Sequence, residues 1–335
     1  MGVNTIIVGA GLAGLVIANE LQAQGVSYLL LEKAPMVGGR LSTYTTDVGV
    51  ADEGAQFFSA RESDFQEAVQ AWQAEGLVYE YGTDWSDGSI KKTVPNSEKR
   101  YAVQGGMVRL AEHLASGLRG LETEAVVKTI RHFEGQWYVT FTDDRVAKSQ
   151  NIVLTAPVPV SLKLLAEVTL DDDVRDALSR IHYAPNITAV FTVDGDTNLP
   201  DSSGVQLNDD ESILRWVVDN QKQDASNTAH LLTVQTNRIF SKQNIGKSDA
   251  DILDALTTAL QEFLVDGTRI TDSHLVRWQY ASPITTHPNE ILRNSDQTLI
   301  FAGDAFGGRG RMEGAYISGK AAAHAVIESM QPVSD

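Results

Sequence analysis

Cysteine is absent from the 335-residue chain. Its absence excludes disulfides, thiolate nucleophiles, cysteine-ligated zinc and a flavin tethered through sulfur. Basic residues are scarce: 27 Lys and Arg stand against 44 Asp and Glu, a formal net charge of −17. A binder of phosphate backbones or anionic lipid needs the opposite surface, so neither nucleic acid nor membrane is an expected partner. No apolar run reaches the ~20 residues that span a bilayer. The longest, Ile6–Ala18, is broken by Gly9, Gly11 and Gly14 and lacks a basic leader and a cleavage site. A soluble, cytoplasmic protein is expected. No His, Asp and Glu residues have metal-ligand spacing, and no serine nucleophile elbow with its triad order occurs. Hydrophobic residues make up 42% of the chain, enough for a real core in one large or two ordinary domains.

Glycine, by contrast, is well placed for nucleotide chemistry. Thr5–Val8 is a short β-rich run, Leu15–Gln24 has helical spacing ended by Gly25, and Tyr28–Leu31 reads as a buried strand. This is a βαβ unit, which implies a parallel sheet. Gly9-Ala10-Gly11-Leu12-Ala13-Gly14 lies between its first strand and helix, and Glu32 ends its second strand 21 residues after Gly11. Such glycines permit a tight turn, close approach to a pyrophosphate and helix–strand packing. The N–H groups that open the helix at Leu12 and Ala13 face the phosphates, and the acid accepts ribose hydroxyls. Gly38-Gly39-Arg40 follows, where glycines let the chain pass close to a ligand and a guanidinium can meet phosphate.

A similar arrangement closes the chain. The apolar strand Thr298–Ala302 runs into Gly303-Asp304, then Gly307-Gly308, then a helix from about Glu313 to Ser329. Between the two ends the pattern looks antiparallel. Glu124–Thr129, Gln136–Thr142 and Asn151–Thr155 form a meander, and 187–193, 213–219 and 230–236 are further strands. Helices are expected at Glu62–Glu75, Met107–Gly117 and Ser248–Leu264, the last capped by Ser248. Tyr81–Arg100 reads as polar and irregular. The simplest arrangement is α/β, with a nucleotide-binding domain built from both ends (1–62, 104–160 and 293–331) and an inserted antiparallel-sheet substrate domain (63–103 and 161–292).

Gly38-Gly39-Arg40 and Gly303-Asp304 have no purpose in a plain NAD dehydrogenase. Both resemble flavoproteins of the amine oxidase superfamily. Asp52-Glu53-Gly54-Ala55-Gln56-Phe57-Phe58, Gly105-Gly106-Met107, Val153-Leu154-Thr155-Ala156-Pro157, Arg277-Trp278-Gln279-Tyr280-Ala281 and Met312-Glu313-Gly314-Ala315-Tyr316 narrow this, because together they resemble the renalase group, especially its bacterial members. The resemblance implies non-covalent FAD and a fold like p-hydroxybenzoate hydroxylase. It implies cofactor contacts at Gly9, Gly11, Leu12, Ala13, Gly14, Glu32, Lys33, Gly39, Arg40, Ala55, Gln56, Val127 beside the adenine, Ala156, Gly303, Asp304, Arg311, Met312 and Ala315. Gln56, Phe58 and Arg61 would reach the isoalloxazine from one side, while Trp278 and Tyr280 would wall the substrate side. The activity implied is oxidation of 2- or 6-dihydro isomers of NAD(P)H, with dioxygen reduced to hydrogen peroxide. Amine or polyamine oxidation is the alternative, since an acidic surface draws cations; a non-catalytic flavin-binding protein is another. Against amine oxidation, no lysine is the single polar residue of an apolar strand in the second domain.

Overall fold

The computed structural model describes residues 2–86, 93–199, 204–207, 212–223 and 227–330. Strand β1 (Gly2–Val8), helix α1 (Leu12–Ala23) and strand β2 (Tyr28–Leu31) form the expected βαβ opening. The hairpin of β3 (Thr43–Thr46) and β4 (Gly49–Asp52) leads to α2 (Ser63–Ala74), a longer hairpin of β5 (Val78–Ser86) and β6 (Thr93–Val103), and α3 (Val108–Ala115). Next come β7 (Leu121–Glu122), β8 (Val127–Phe133), β9 (Gln136–Phe141), β10 (Val146–Leu154), α4 (Val158–Leu164) and α5 (Asp172–Ser179). A second region holds β11 (Tyr183–Asp194), β12 (Val205–Gln206), β13 (Leu214–Asp219), α6 (Asn220–Gln223), β14 (His230–Thr236), α7 (Arg238–Asn244), α8 (Asp249–Leu260) and β15 (Arg269–Pro283). The chain returns through β16 (Leu292–Arg293) and β17 (Leu299–Phe301) to α9 (Arg311–Ser329).

The first and last segments share one sheet. Its strand order is β16-β17-β10-β1-β2-β7, with β8 and β9 added as an antiparallel extension on β10. β17, β10, β1, β2 and β7 run parallel. One face is covered by α1, α2, α3 and α9, with Leu15, Ile17, Leu21, Phe65 and Leu110 fully buried there. The other is covered by the β8–β9 extension with α4 and α5, around Ile6, Trp137, Ile152 and Phe301. Helices α1 and α9 cross at Gly319, where a Cβ would lie 2.8 Å from the Ala13 carbonyl oxygen. Burial on both sheet faces explains the apolar runs of β1, β2 and β17.

The second sheet, ordered β12-β13-β14-β11-β15, is antiparallel throughout. Its outer face packs Ile187, Phe191 and Leu232 on Ile252, Leu256 and Phe263 of α8 and the turn after it. Ser248 caps α8 as expected, accepting the Asp251 N–H at 3.2 Å. The inner face turns toward the first domain. Among the described residues no helix is long and apolar enough to cross a membrane.

Two expectations shift. Tyr81–Arg100 is not irregular: most of it lies in the paired strands β5 and β6, while 87–92 lie outside the described residues. Main-chain ladder bonds hold such a hairpin, and a polar sequence does not prevent them. The domain division also follows contacts rather than chain order. α2, placed in the substrate domain, buries Phe65, Val69 and Trp72 in the first core, and residues 161–181 place Leu165, Val174 and Leu178 on the same sheet.

At Gly14 the strand and helix approach so closely that a Cβ would sit 1.9 Å from the Gly9 carbonyl oxygen. Gly14→Ala must push the turn off the helix. It is expected to cost about 1–3 kcal/mol or more, read as a lowered urea midpoint with an unchanged m-value.

Candidate functional site

The register of the parallel strands assembles the site. Leu31, Val8, Leu154 and Phe301 are successive neighbours across β2, β1, β10 and β17. Each strand ends within a residue of this line, so Glu32, Gly9, Thr155–Ala156 and Gly303–Asp304 emerge side by side at the carboxyl edge. Ligands of open α/β sheets bind there. Gly9 has φ +107°, and a Cβ on it would lie 2.7 Å from Thr155 Oγ1, whose hydroxyl reaches the Val8 and Gly9 carbonyls. Glu32 is buried. Its Oε2 accepts the Ala10 N–H and its Oε1 the Ala34 N–H, both at 2.9 Å. Ala125 N donates to the Glu32 carbonyl and brings Val127 next to the tip of β2.

The glycine-rich turn meets the second glycine pair directly. Gly38 N donates to Ala10 O at 2.8 Å, and Gly39 passes within 3.8 Å of Gly11, measured from an added Cβ. Arg40 then crosses the groove. Nη1 and Nη2 donate to the two oxygens of Asp304 at 2.6 and 2.7 Å, and Nη1 also donates to the Ala281 carbonyl at 2.9 Å. Burial alone would make this guanidinium easier to deprotonate; the Asp304 carboxylate outweighs that and holds it more basic than usual. The Arg40 carbonyl accepts the Ala55 N–H, and a Cβ at Gly54 would collide with it at 2.1 Å. Ser42 Oγ, two residues on, is buried with no hydrogen-bond partner among the described residues.

The segment 52–56 is stitched to the inner face of the second sheet. Thr233 Oγ1 donates to Asp52 O at 3.0 Å, Trp278 Nε1 to Glu53 O at 2.8 Å and Gln235 Nε2 to Gly54 O at 2.7 Å. Gln56, itself buried, donates Nε2 to Asp52 O at 2.6 Å. His274 stacks on Tyr44 with centroids 4.0 Å apart, and its Nε2 is 3.0 Å from Glu53 Oε2. The strand pairings place Trp216, Thr233, Gln235, Asn186, Thr188, His274 and Trp278 on this one face.

Residues 82–327 match the family model of flavin containing amine oxidoreductases, and residues 7–74 that of an NAD(P)-binding Rossmann-like domain. The chain belongs to the flavin-containing amine oxidoreductases. It is an FAD-dependent oxidoreductase with a Rossmann-like domain and a sheet-rich insert. Cyclohexylamine oxidase from Brevibacterium oxydans IH-35A superposes with a TM-score of 0.76 at 15% identity, over 98% of this chain and 99% of that one. A variant of putrescine oxidase superposes at 0.71 with 14% identity and the same coverage. At these identities the likeness shows the fold. A 50-residue stretch, 15% of this chain, is 44% identical to a Drosophila melanogaster protein described as "Possible lysine-specific histone demethylase 1", of which it spans only 6%.

The carboxyl edge of the first sheet gathers most of the residues singled out from the sequence, but not all. Gly9, Gly11, Leu12, Ala13, Gly14, Glu32, Gly39, Arg40, Ala156, Gly303 and Asp304 line it, with Lys33 exposed beside Glu32. Met312 and Ala315 stand in the first turn or so of α9, with side chains packed into or against the first core, and Arg311 is exposed at φ +59°. Two residues expected beside the isoalloxazine are engaged with other parts of the chain. Phe58 is core, packed on Phe65 and Tyr101 at 5.8 and 5.7 Å. The Arg61 side chain is exposed and ion-paired with Glu98, while its backbone N–H bonds buried Glu313. Tyr280 meets Tyr183 edge-on at 5.8 Å. Tyr183, Gln235 and His274 were not singled out from the sequence. Gln235 alternates with Thr233 on β14, a weak period-2 signal for one polar face; Tyr183 and His274 gain their place only through tertiary contacts.

Asp52 is the perturbed acid of the site. Burial lifts it from the usual 3.8 to about 7, against the opposing hydrogen bonds from Thr43 Oγ1 at 2.5 Å and Met107 N at 2.8 Å, with Glu53 adding to the rise. The native state therefore holds a proton between pH 4 and 7 that the unfolded chain has already lost, and stability falls as pH rises through that window. Asp52→Asn should remove this slope. Urea unfolding at pH 5 and pH 8 is expected to show wild type losing stability relative to the variant at the higher pH.

Proposed function

We propose that the chain oxidises 2- or 6-dihydro isomers of NAD(P)H, in the manner of the renalase group and on a p-hydroxybenzoate hydroxylase-like arrangement of domains. One dihydronicotinamide, one proton from solvent and dioxygen give NAD(P)+ and hydrogen peroxide. When bound, FAD supplies an acceptor for two electrons from a C–H bond and passes them on to dioxygen.

The residues present fit that cofactor. The Gly9–Gly14 turn and the start of α1 offer backbone N–H groups to a pyrophosphate. Each Glu32 oxygen has spent one acceptor site on a backbone N–H and keeps another for a ribose hydroxyl. The Arg40 guanidinium reaches the same edge at Asp304, and two residues on Ser42 Oγ is a buried hydroxyl without a partner among the described residues. Ala55 and Gln56, held by Arg40 and Asp52, would bound the isoalloxazine end together with Met312.

One observation carries the choice of donor: the inner face of the second sheet is neutral. No lysine stands on β11, and every carboxylate described near the groove is engaged. Asp304 is held by Arg40, Glu53 by His274, Glu32 by backbone, and Asp52 by Thr43 and Met107. An ammonium substrate would find no free anion among the carboxylates just named. A dihydronicotinamide needs neither anion nor general base, because aromatisation of its own ring drives the transfer. Trp278 and Tyr280 would present flat apolar surface to it, and positioning supplies the rest. The family name and the amines in the neighbours' names keep amine oxidation as the second reading.

Anaerobic mixing with 6-dihydro-NAD, 2-dihydro-NAD, ordinary NADH, spermine and cyclohexylamine, with flavin absorbance followed, separates the two. Rapid bleaching by the isomers is expected; bleaching by the amines alone overturns the proposal. Separately, Glu32→Gln should weaken FAD binding by about 1.5–3 kcal/mol, the worth of hydrogen bonds to a charged group, measured by quenching of flavin fluorescence.

A further inference from the structure

We propose that Arg40 is a positioning residue for the substrate wall, in addition to the cofactor role given to it above, on which the proposal rests. A guanidinium carries five N–H donors in a rigid plane. In this chain the end-on edge is filled: Nη1 and Nη2 hold both oxygens of Asp304, and the other Nη1 hydrogen holds Ala281 O at 2.9 Å. The Nε hydrogen and the second Nη2 hydrogen share the remaining edge, and neither has an acceptor among the described residues. A phosphate can engage that edge without displacing Asp304 or Ala281, so Arg40 can hold cofactor and wall at once.

The wall requires such a tie. From the pair Ala184↔Ser282 to the pair Asn186↔Trp278, β11 advances two residues while β15 advances four. Gln279, Tyr280 and Ala281 therefore lie in a bulge without regular ladder partners on β11. β15 is also the edge of its sheet, so no strand pairs it on the other side. A bulge re-aims side chains but leaves its own backbone under-determined. Arg40 supplies the missing constraint on the carbonyl next to Tyr280, and the Tyr183 ring meets Tyr280 from the side at 5.8 Å. Since Asp304 fixes the same guanidinium, the position of Tyr280 is referred directly to the carboxyl edge of the first sheet.

The test is hydrogen exchange on the cofactor-free protein. In Arg40→Lys, which keeps the charge but loses the planar fork, the Ile284 amide just past the bulge, bonded to His182 O at 2.7 Å, is expected to exchange about tenfold faster, with β14 unchanged. Asp304→Asn, which keeps Arg40 but loosens its plane, should raise the same exchange by a smaller factor and serves if the first variant does not fold. Unchanged protection of the Ile284 amide in either folded variant overturns the proposal. With FAD saturating, the limiting rate of anaerobic reduction in Arg40→Lys should fall about tenfold or more through misalignment; a wild-type limiting rate also overturns it. The exchange result is readable whether or not the wild type takes up FAD, whereas failure to take up FAD sinks the cofactor reading alone.

Discussion

A guanidinium from the first tenth or so of the chain and a carboxylate from the last tenth satisfy each other across the groove, 264 residues apart in sequence. The carboxyl edge of the sheet could hold four separate loops in many ways; this ion pair selects one. Asp304 is nearly enclosed, with its side chain 9% exposed, and Arg40 is 31% exposed. Pairs of this kind add little net stability over apolar packing, because desolvation offsets attraction. Their effect is specificity: any arrangement that parts the two leaves an enclosed carboxylate alone. The sheet places the motifs and the pair holds them to one spacing.

The same logic runs through the second sheet. Three of its inward polar side chains, Thr233, Gln235 and Trp278, bond backbone carbonyls of the segment 52–54. Trp278 illustrates the result. Its N–H is committed to the Glu53 carbonyl, so the indole has no donor left for a substrate. The surplus of negative charge in the sequence is not concentrated as free carboxylates in this groove. The net charge therefore bears on solubility and steering rather than on the chemistry of this segment.

Much of the first domain was legible in the sequence because its signals are local. The βαβ opening, Glu32 at a strand tip and the Gly303–Asp304 turn each fix backbone conformation within a few residues. What could not be read depends on distant partners. Nothing in Phe57-Phe58 says which ring is core; Phe58 is buried because Phe65 and Tyr101 close over it. The β5–β6 hairpin was obscured by polar and glycine residues that pair through their main chains. α4 and α5 are short, seven and eight residues, below the length at which helical periodicity is distinctive. The tie from Arg40 to Ala281 has no sequence signal at all, since its acceptor is a carbonyl.

The strand order carries a consequence for biosynthesis. β17 lies next to β10, and α9 fills the face beside α1 with Gly319 against Ala13. The nucleotide-binding half is thus begun at β1 and closed only when β17 and α9 have followed the whole second sheet. Domains generally form as units during synthesis, but this one must wait with a raw sheet edge and an uncovered helix until residue 319 or so has emerged. The nascent chain therefore passes through a long interval in which its apolar surface is shielded only by whatever attends it, and loading of the cofactor becomes a step that follows translation.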